Sequence, residues 1–348
     1  MTTRIRPTVT LFTSIPDIAE SLAAACPDVP FLVVKDAALG GFGGTVEFDP
    51  SSLQFETKTA LKQAEILISE PAVVAALMKH DKASLSSLKW CQSTYAGVDP
   101  LFNAGLTLPL HWKVTRFAGC FGPPIAEWCL ARIIEHERSF VATARDQGRK
   151  SWAGSREQVT NYRYLSSLTL SVLGCGDIGM NIAKIAKAFG MKTVGYARTR
   201  RQALDVGVDE YTTDLAHALQ AGDYIVSVLP STPETRRLLS DNALYASSKA
   251  GGGKCGVFIN VGRGDVIDED SLINALDNRF ISAAILDVFD TEPLPEESKL
   301  WDRHDIIVSP HVSGLTQASD VPKVFFSNYE RYINGEDLQY IVDWDKGY

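Results

Sequence analysis

The chain has 348 residues, more than one ordinary core holds and enough for two domains. Hydrophobic residues make up 45% and charged residues 22%, an ordinary soluble composition. A formal net charge of −8 argues against a general nucleic-acid binder, which needs a basic face, and against docking on anionic membranes.

The first residues, MTTRIRPTVTLF, read as a lead-in to a strand over 8–12 rather than as a transit peptide. Further strands are predicted at 31–34, 65–69 and 88–94, with helix-like stretches at 18–25 and 72–79. This alternation suggests an α/β layer around a mostly parallel sheet. After Ala96-Gly97-Val98 the chain passes through HWKVTRFAGCFGPP, and Pro123-Pro124 opens an amphipathic helix expected over 125–147.

A second α/β unit follows. Its strands are predicted at 168–174, 192–197, 224–230, 257–262, 283–289 and 305–311, six in all, as a dinucleotide-binding domain requires. A last helix, from about 316 to 334, is placed to pack back on the first domain. Residues 247–253 read as a loop, and Asp268-Glu269-Asp270 as a helix start. No apolar run approaches the roughly 20 residues of a membrane span. The six cysteines are scattered without a CxxC pair, as in a reduced, cytoplasmic protein, and no histidine has metal-ligand spacing, so no metal is expected.

The segment SVLGCGDIGMN carries the strongest local signal. Gly174 suits the tight turn after a strand, Gly176 the approach of backbone to a pyrophosphate, and Gly179 the packing of helix on sheet. The helix that begins at Asp177 and Ile178 would offer free N–H groups and partial positive charge to the phosphates. The pattern follows a strand and opens a helix, the context that a bare glycine motif lacks.

Together with FINVGRGDVID (258–268), ILDVFDTEPLP (285–295), SPHVSG (309–314) and STYAGVDPLF (93–102), this segment resembles the D-isomer-specific 2-hydroxyacid dehydrogenases. PLPEESKLW and the terminal KGY look most like the glyoxylate/hydroxypyruvate reductase branch. The resemblance implies two Rossmann-like, doubly wound parallel-sheet domains. The substrate domain, flavodoxin-like, would take 1–117 with 315–348, and the dinucleotide-binding domain 118–314. It also implies a homodimer.

Reduction of a 2-oxo acid needs a grip on the carboxylate, a polarised carbonyl and a proton for the new alkoxide. Arg263, just past the strand VFINVG, suits the first two through its planar, permanently charged fork. His311 is a natural acid near neutral pH, and Glu292 stands where it can accept from the imidazole and favour its protonated form. The resemblance implies this Arg–Glu–His set directly. It implies as well that Asp287 holds the nicotinamide carboxamide, that Leu229 and Pro230 line the adenosine side, and that Val261 and Gly262 lie along the nicotinamide. The turn at Ala96, Gly97 and Val98 would offer N–H groups to the substrate carboxylate, with Tyr95 shaping the pocket.

An acidic residue usually takes the ribose hydroxyls of NAD about where Ala197 stands. Here Arg198, Thr199 and Arg200 follow, a set suited to a 2′-phosphate carrying about −1.5 to −2 charge, with Arg201 read as solvated. The expectation is an NADPH-dependent reductase of small 2-oxo acids such as glyoxylate or hydroxypyruvate, with NAD as a possible second cofactor. The alternatives are a relative acting on bulkier 2-oxo acids and a cofactor-sensing protein of the corepressor kind.

Overall fold

A computed structural model describes residues 6–41, 48–199, 207–248 and 255–347. The chain divides into two compact units, Met1–Cys120 with Leu315–Tyr348, and Phe121–Gly314. No helix among the described residues is long and apolar enough to cross a membrane.

The first unit holds β1 (Val9–Leu11), α1 (Ile18–Ala25), β2 (Phe31–Val33), α2 (Phe55–Gln63), β3 (Ile66–Ser69), α3 (Pro71–His80), β4 (Trp90–Ser93), α4 (Asp99–Asn103) and β5 (Lys113–Thr115). Its sheet is parallel throughout in the order β2-β1-β3-β4-β5. Strands β3 and β4 are buried along their whole length, as strands covered on both faces must be. The chain's last helix, Val321–Asn334, is tied to this unit through Trp90. The indole stacks on Phe325 at 5.5 Å and on Tyr332 at 5.4 Å, and Tyr329 donates to the Pro7 carbonyl. That helix starts five residues later than expected, because Thr316 is a buried tie, its hydroxyl donating to the Thr94 carbonyl at 2.6 Å. Strand β5 and helix α2 were not expected. Strand β5 has three residues with Val114 its one apolar side chain, and α2 buries only Thr57 and Leu61, so neither carries a sustained apolar pattern.

The second unit holds α5 (Gly122–Arg138), α6 (Phe140–Gly148), α7 (Arg156–Thr160), β6 (Thr169–Leu173), α8 (Asp177–Ala188), β7 (Lys192–Tyr196), β8 (Glu210–Thr212), α9 (Leu215–Ala221), β9 (Tyr224–Ser227), β10 (Gly256–Asn260), α10 (Glu269–Asp277), β11 (Ile281–Leu286) and β12 (Ile306–Val308). The sheet has seven parallel strands in the order β12-β11-β10-β9-β6-β7-β8, not the six expected. The additional strand, β8, is a half-exposed edge strand and lacks the buried apolar run that marks the others. The helix expected over 125–147 is two helices. Ser139 lies in the left-handed region at φ 52° and separates α5 from α6. The chain leaves β6 toward β7 on one side and β9 lies on the other, so the carboxyl ends of β6 and β9 open the crevice in which ligands of such sheets bind.

One charged knot sits at the opposite end of this sheet. Glu137, on α5, is buried and accepts from Arg163 through its guanidinium and backbone N–H, and from the Tyr224 hydroxyl at 2.8 Å. Arg163 also pairs with Asp223 at 3.0 Å. Burial by itself raises the Glu137 carboxyl, but Arg163 and Tyr224 outweigh it and leave it below the ordinary glutamate value. Removing the arginine strands a buried charge, so R163A is expected to cost roughly 3 kcal/mol of stability in chemical denaturation at pH 7. A depressed carboxyl contributes stability above its unfolded pKa and loses it as pH falls through the folded one. The gap between R163A and the unaltered protein should therefore close on the acid side of the ordinary glutamate range.

Candidate active site

The glycine turn is built as its residues demand. Gly174 sits at φ +104°, where a side chain is strained, and a Cβ at Gly179 would lie 2.0 Å from the Gly174 carbonyl oxygen. Helix α8 starts after Gly176 with no side chain capping it, so its first N–H groups face outward for an anion. Asp177 and Ile178 form its first turn, Asp177 exposed and Ile178 half-buried. This cradle fits a dinucleotide's phosphates.

The neighbouring loops supply its walls. Gly262 lies against the backbone of Leu229, bringing the 229–230 and 261–262 segments side by side. Leu229 and Val261 are buried and Pro230 is half-buried. Arg198 and Thr199 are exposed in the turn after β7. Glu234, in the loop after β9, is held below its ordinary value first by the Thr232 hydroxyl and also by the charge of Arg198, which places that charge toward the loop. Arg200 and Arg201 lie outside the described residues.

The structure brings His311 and Glu292 together. Imidazole Nδ1 stands 2.9 Å from Glu292 Oε2, while Oε1 accepts from the Phe289 N–H at 2.9 Å. Burial alone would raise the Glu292 carboxyl. The His311 hydrogen bond, then its charge, the Phe289 N–H and the nearby Arg263 overcome that, and the carboxyl lies below its ordinary range. Arg263 follows β10, and its Nη1 donates to the Gly262 carbonyl at 2.8 Å.

Two supports were not foreseen in the sequence. Asn260, the buried last residue of β10, accepts from the Gly262 N–H and donates to the Arg263 carbonyl at 3.0 Å, pinning the arginine's loop on both sides. Asp287 is fully buried at the end of β11. Its Oδ1 accepts from the Ser309 hydroxyl (2.6 Å) and the Val312 N–H (2.9 Å), and its Oδ2 from the Ser313 N–H (2.8 Å). Its carbonyl accepts from the His311 N–H at 2.9 Å. His311 itself is in the left-handed region at φ 52°, and Asp287 holds it there. An aspartate one strand away from a histidine-bearing turn gives no periodic signal, so only the folded register exposes this role.

In the first unit, β4 ends at Ser93 and runs into the Tyr95–Val98 turn. Among the described residues no partner takes the N–H of Ala96, Gly97 or Val98, so the three donors are available to an anion. Tyr95 is half-buried, and burial, followed by the Glu70 charge, pushes its phenol up to about 12. No group of three or more potential metal ligands occurs among the described residues.

The family model described as "D-isomer specific 2-hydroxyacid dehydrogenase, NAD binding domain" matches residues 130–313. A glyoxylate/hydroxypyruvate reductase B from Serratia proteamaculans is 29% identical over 263 residues, which are 75% of this chain and 78% of that protein. A D-isomer-specific 2-hydroxyacid dehydrogenase family protein from Aeromonas salmonicida superposes with a TM-score of 0.80 at 32% identity, covering 98% of this chain and 100% of the other. An NADPH-dependent glyoxylate/hydroxypyruvate reductase from Sinorhizobium meliloti, solved with NADP and sulfate, gives a TM-score of 0.77 at 25% identity, covering 99% and 100%. The chain belongs to the D-isomer-specific 2-hydroxyacid dehydrogenase family and is an oxidoreductase.

The grip of Asp287 on the 309–313 turn is open to test. In D287N an amide N–H faces backbone N–H donors, so a buried charge-assisted bond becomes a clash of donors. Chemical denaturation should show a loss of roughly 2–4 kcal/mol. An unchanged midpoint would mean that the turn holds itself.

Proposed function

We propose that this protein reduces a small 2-oxo acid, such as glyoxylate or hydroxypyruvate, to the D-2-hydroxy acid with NADPH. The observation that carries the reading is the His311–Glu292 pair at 2.9 Å, with the Arg263 charge acting on the same carboxylate, on the rim that bears the glycine turn. The Serratia and Sinorhizobium reductases, similar along most of the chain, support the substrate class.

The N-terminus of α8, with Gly174, Gly176 and Gly179, would hold the cofactor's phosphates, and Arg198 and Thr199 would meet its 2′-phosphate; Arg200, assigned the same role from the sequence, lies outside the described residues. Leu229 and Pro230 line the adenosine side, Val261 and Gly262 the nicotinamide side, and Asp287 has one Oδ2 lone pair left for the carboxamide. Bound NADPH supplies the hydride. In the first unit the N–H groups of Ala96, Gly97 and Val98 are donors for the substrate carboxylate; in the second, Arg263 is suited to grip a carboxylate and to polarise the carbonyl. With Nδ1 tied to Glu292, His311 would present Nε2 to the substrate's carbonyl oxygen and supply the proton of the new hydroxyl. Glu292 stays ionised throughout. The expected homodimer is supported by Phe140, Val141 and Trp152 of the second unit, which stand exposed, the last at 96%.

Oxidation of NADPH followed at 340 nm with glyoxylate, hydroxypyruvate and longer 2-oxo acids tests the reading. No turnover with any of them would sink it. H311N is expected to lower kcat by roughly 10²–10⁴-fold, with the KM of NADPH little changed. R198A should raise the KM of NADPH by about tenfold or more, the effect of losing one charge-assisted bond, and leave that of NADH nearly alone. Equal changes for the two cofactors would remove the phosphate assignment.

A further inference from the structure

The first unit has its own switch point. In the order β2-β1-β3-β4-β5 the chain departs from β1 and β3 to opposite sides, and the carboxyl ends of those strands are where such a sheet binds ligands. Glu70 stands there, directly after β3 and only 4% exposed as β3 gives way to α3. Its Oε1 is fully used. It accepts from the Thr13 hydroxyl (2.9 Å), the Ser14 N–H (2.8 Å) and the Ser14 hydroxyl (2.8 Å), all from the loop after β1.

Its Oε2 is buried and has no partner among the described residues. The Ser69 hydroxyl beside it in sequence is in the same condition, and so is that of Thr94. Strands β3 and β4 pair with Ser69 opposite Ser93, and the Thr94 N–H donates to the Ser69 carbonyl at 3.1 Å, so Glu70 and Thr94, each one residue past that pair, project to one face and Ser69 to the other. Buried polar atoms are paired in the great majority of cases, and a carboxylate left half-paired costs stability that an apolar side chain there would not. Anchoring the β1 loop explains Oε1 alone. Oε2 can only accept, so whatever completes it must donate.

The next residues along β4 are Tyr95 and the turn with the three free N–H groups. Tyr95 feels the Glu70 charge and is half-exposed, linking the buried carboxylate to the rim.

We propose that Glu70 Oε2, with the Thr94 hydroxyl, is a subsite for a hydroxyl group on the substrate and selects 3-hydroxy-2-oxo acids over those ending in a methyl group. This rests on the reading of the Ala96–Val98 turn as the holder of the substrate carboxylate. Thr94 and Tyr95 join that turn to the Glu70 strand end, and of the groups a substrate's third carbon can carry, a hydroxyl completes the orphan acceptor where a methyl does not. Glyoxylate has no such carbon and gains nothing from the subsite.

E70Q separates the two faces of the carboxylate. Glutamine keeps an oxygen for Thr13 and Ser14 and replaces the orphan acceptor with an uncharged N–H donor. The measurement is the ratio of kcat/KM for hydroxypyruvate to that for pyruvate, two acids that differ by the 3-hydroxyl alone. E70Q is expected to lower the ratio about tenfold, the difference between a charge-assisted and a neutral hydrogen bond. T94V, which removes an orphan hydroxyl and keeps its shape, should lower it about threefold and reads the subsite should E70Q fold poorly. A ratio within twofold of the unaltered protein in either folded variant overturns the subsite. So does a parallel loss for both substrates, the mark of a structural role. Absence of turnover with both acids in the unaltered protein would instead overturn the reductase reading.

Discussion

An acid, its carboxylate partner and an arginine sit on loops after three different strands, and the buried carboxylate of Asp287 makes their alignment possible. His311 occupies a left-handed backbone conformation, which costs a non-glycine residue about 1–3 kcal/mol. Against that stand the bonds from Val312 and Ser313 to a charged acceptor, each of about 1.5–3 kcal/mol, so the strained turn is over-determined rather than merely tolerated. Asn260 does the same for Arg263 with neutral bonds, and the Phe289 N–H does it for Glu292. Each functional side chain is set by a polar tie at a strand end. The histidine presents one nitrogen because its Nδ1 is tied to Glu292 and its backbone N–H to the Asp287 carbonyl.

The placement follows from the sheets. Parallel strands gather all their outgoing loops at one edge, so Arg263, Glu292, His311 and the glycine turn each lie past a carboxyl end. The overall charge of −8 would seem to oppose an anionic cofactor and an anionic substrate. Salt screens exposed charges beyond about 8 Å under physiological conditions, so the groups within that distance decide. Those are the open N-terminus of α8, the Arg198 turn and Arg263. The acidic groups at the site, Glu292 and Asp287, are each tied by hydrogen bonds to neighbouring donors.

How much of this could be read from the chain varies with the physics of each feature. The glycine turn was legible because positive φ and a 2.0 Å approach admit only glycine, which leaves a fixed spacing in the sequence. Arg263, Glu292 and His311 stood out through resemblance in the motifs around them. The buried strands β3, β6 and β9 showed as apolar runs, whereas β8 was missed because it lies half-exposed at an edge. The break at Ser139 was invisible since the apolar spacing of α5 continues into α6, where Phe140 and Val141 are exposed. Arg200, expected at the cofactor phosphate, lies outside the described residues, so that side of the site is represented by Arg198 and Thr199.

Asn260, Glu70 and the turn-holding role of Asp287 escaped notice for one shared reason. Each is a polar residue at a strand end, indistinguishable in one dimension from a turn former. What separates them is the count of hydrogen bonds in the fold. Asp287 has three side-chain bonds, all inward, and Asn260 has two that bracket an arginine. Glu70 has three bonds on one oxygen and none on the other among the described residues. The Asp287 carboxylate, with bonds on both oxygens, is first the support of the turn it holds and keeps a single Oδ2 lone pair. A half-satisfied one keeps an unspent acceptor, and the energy of completing it is available only to a ligand that brings a donor. Chemistry carried by residue type is therefore visible in a sequence, while selectivity carried by an unfilled lone pair waits for the fold.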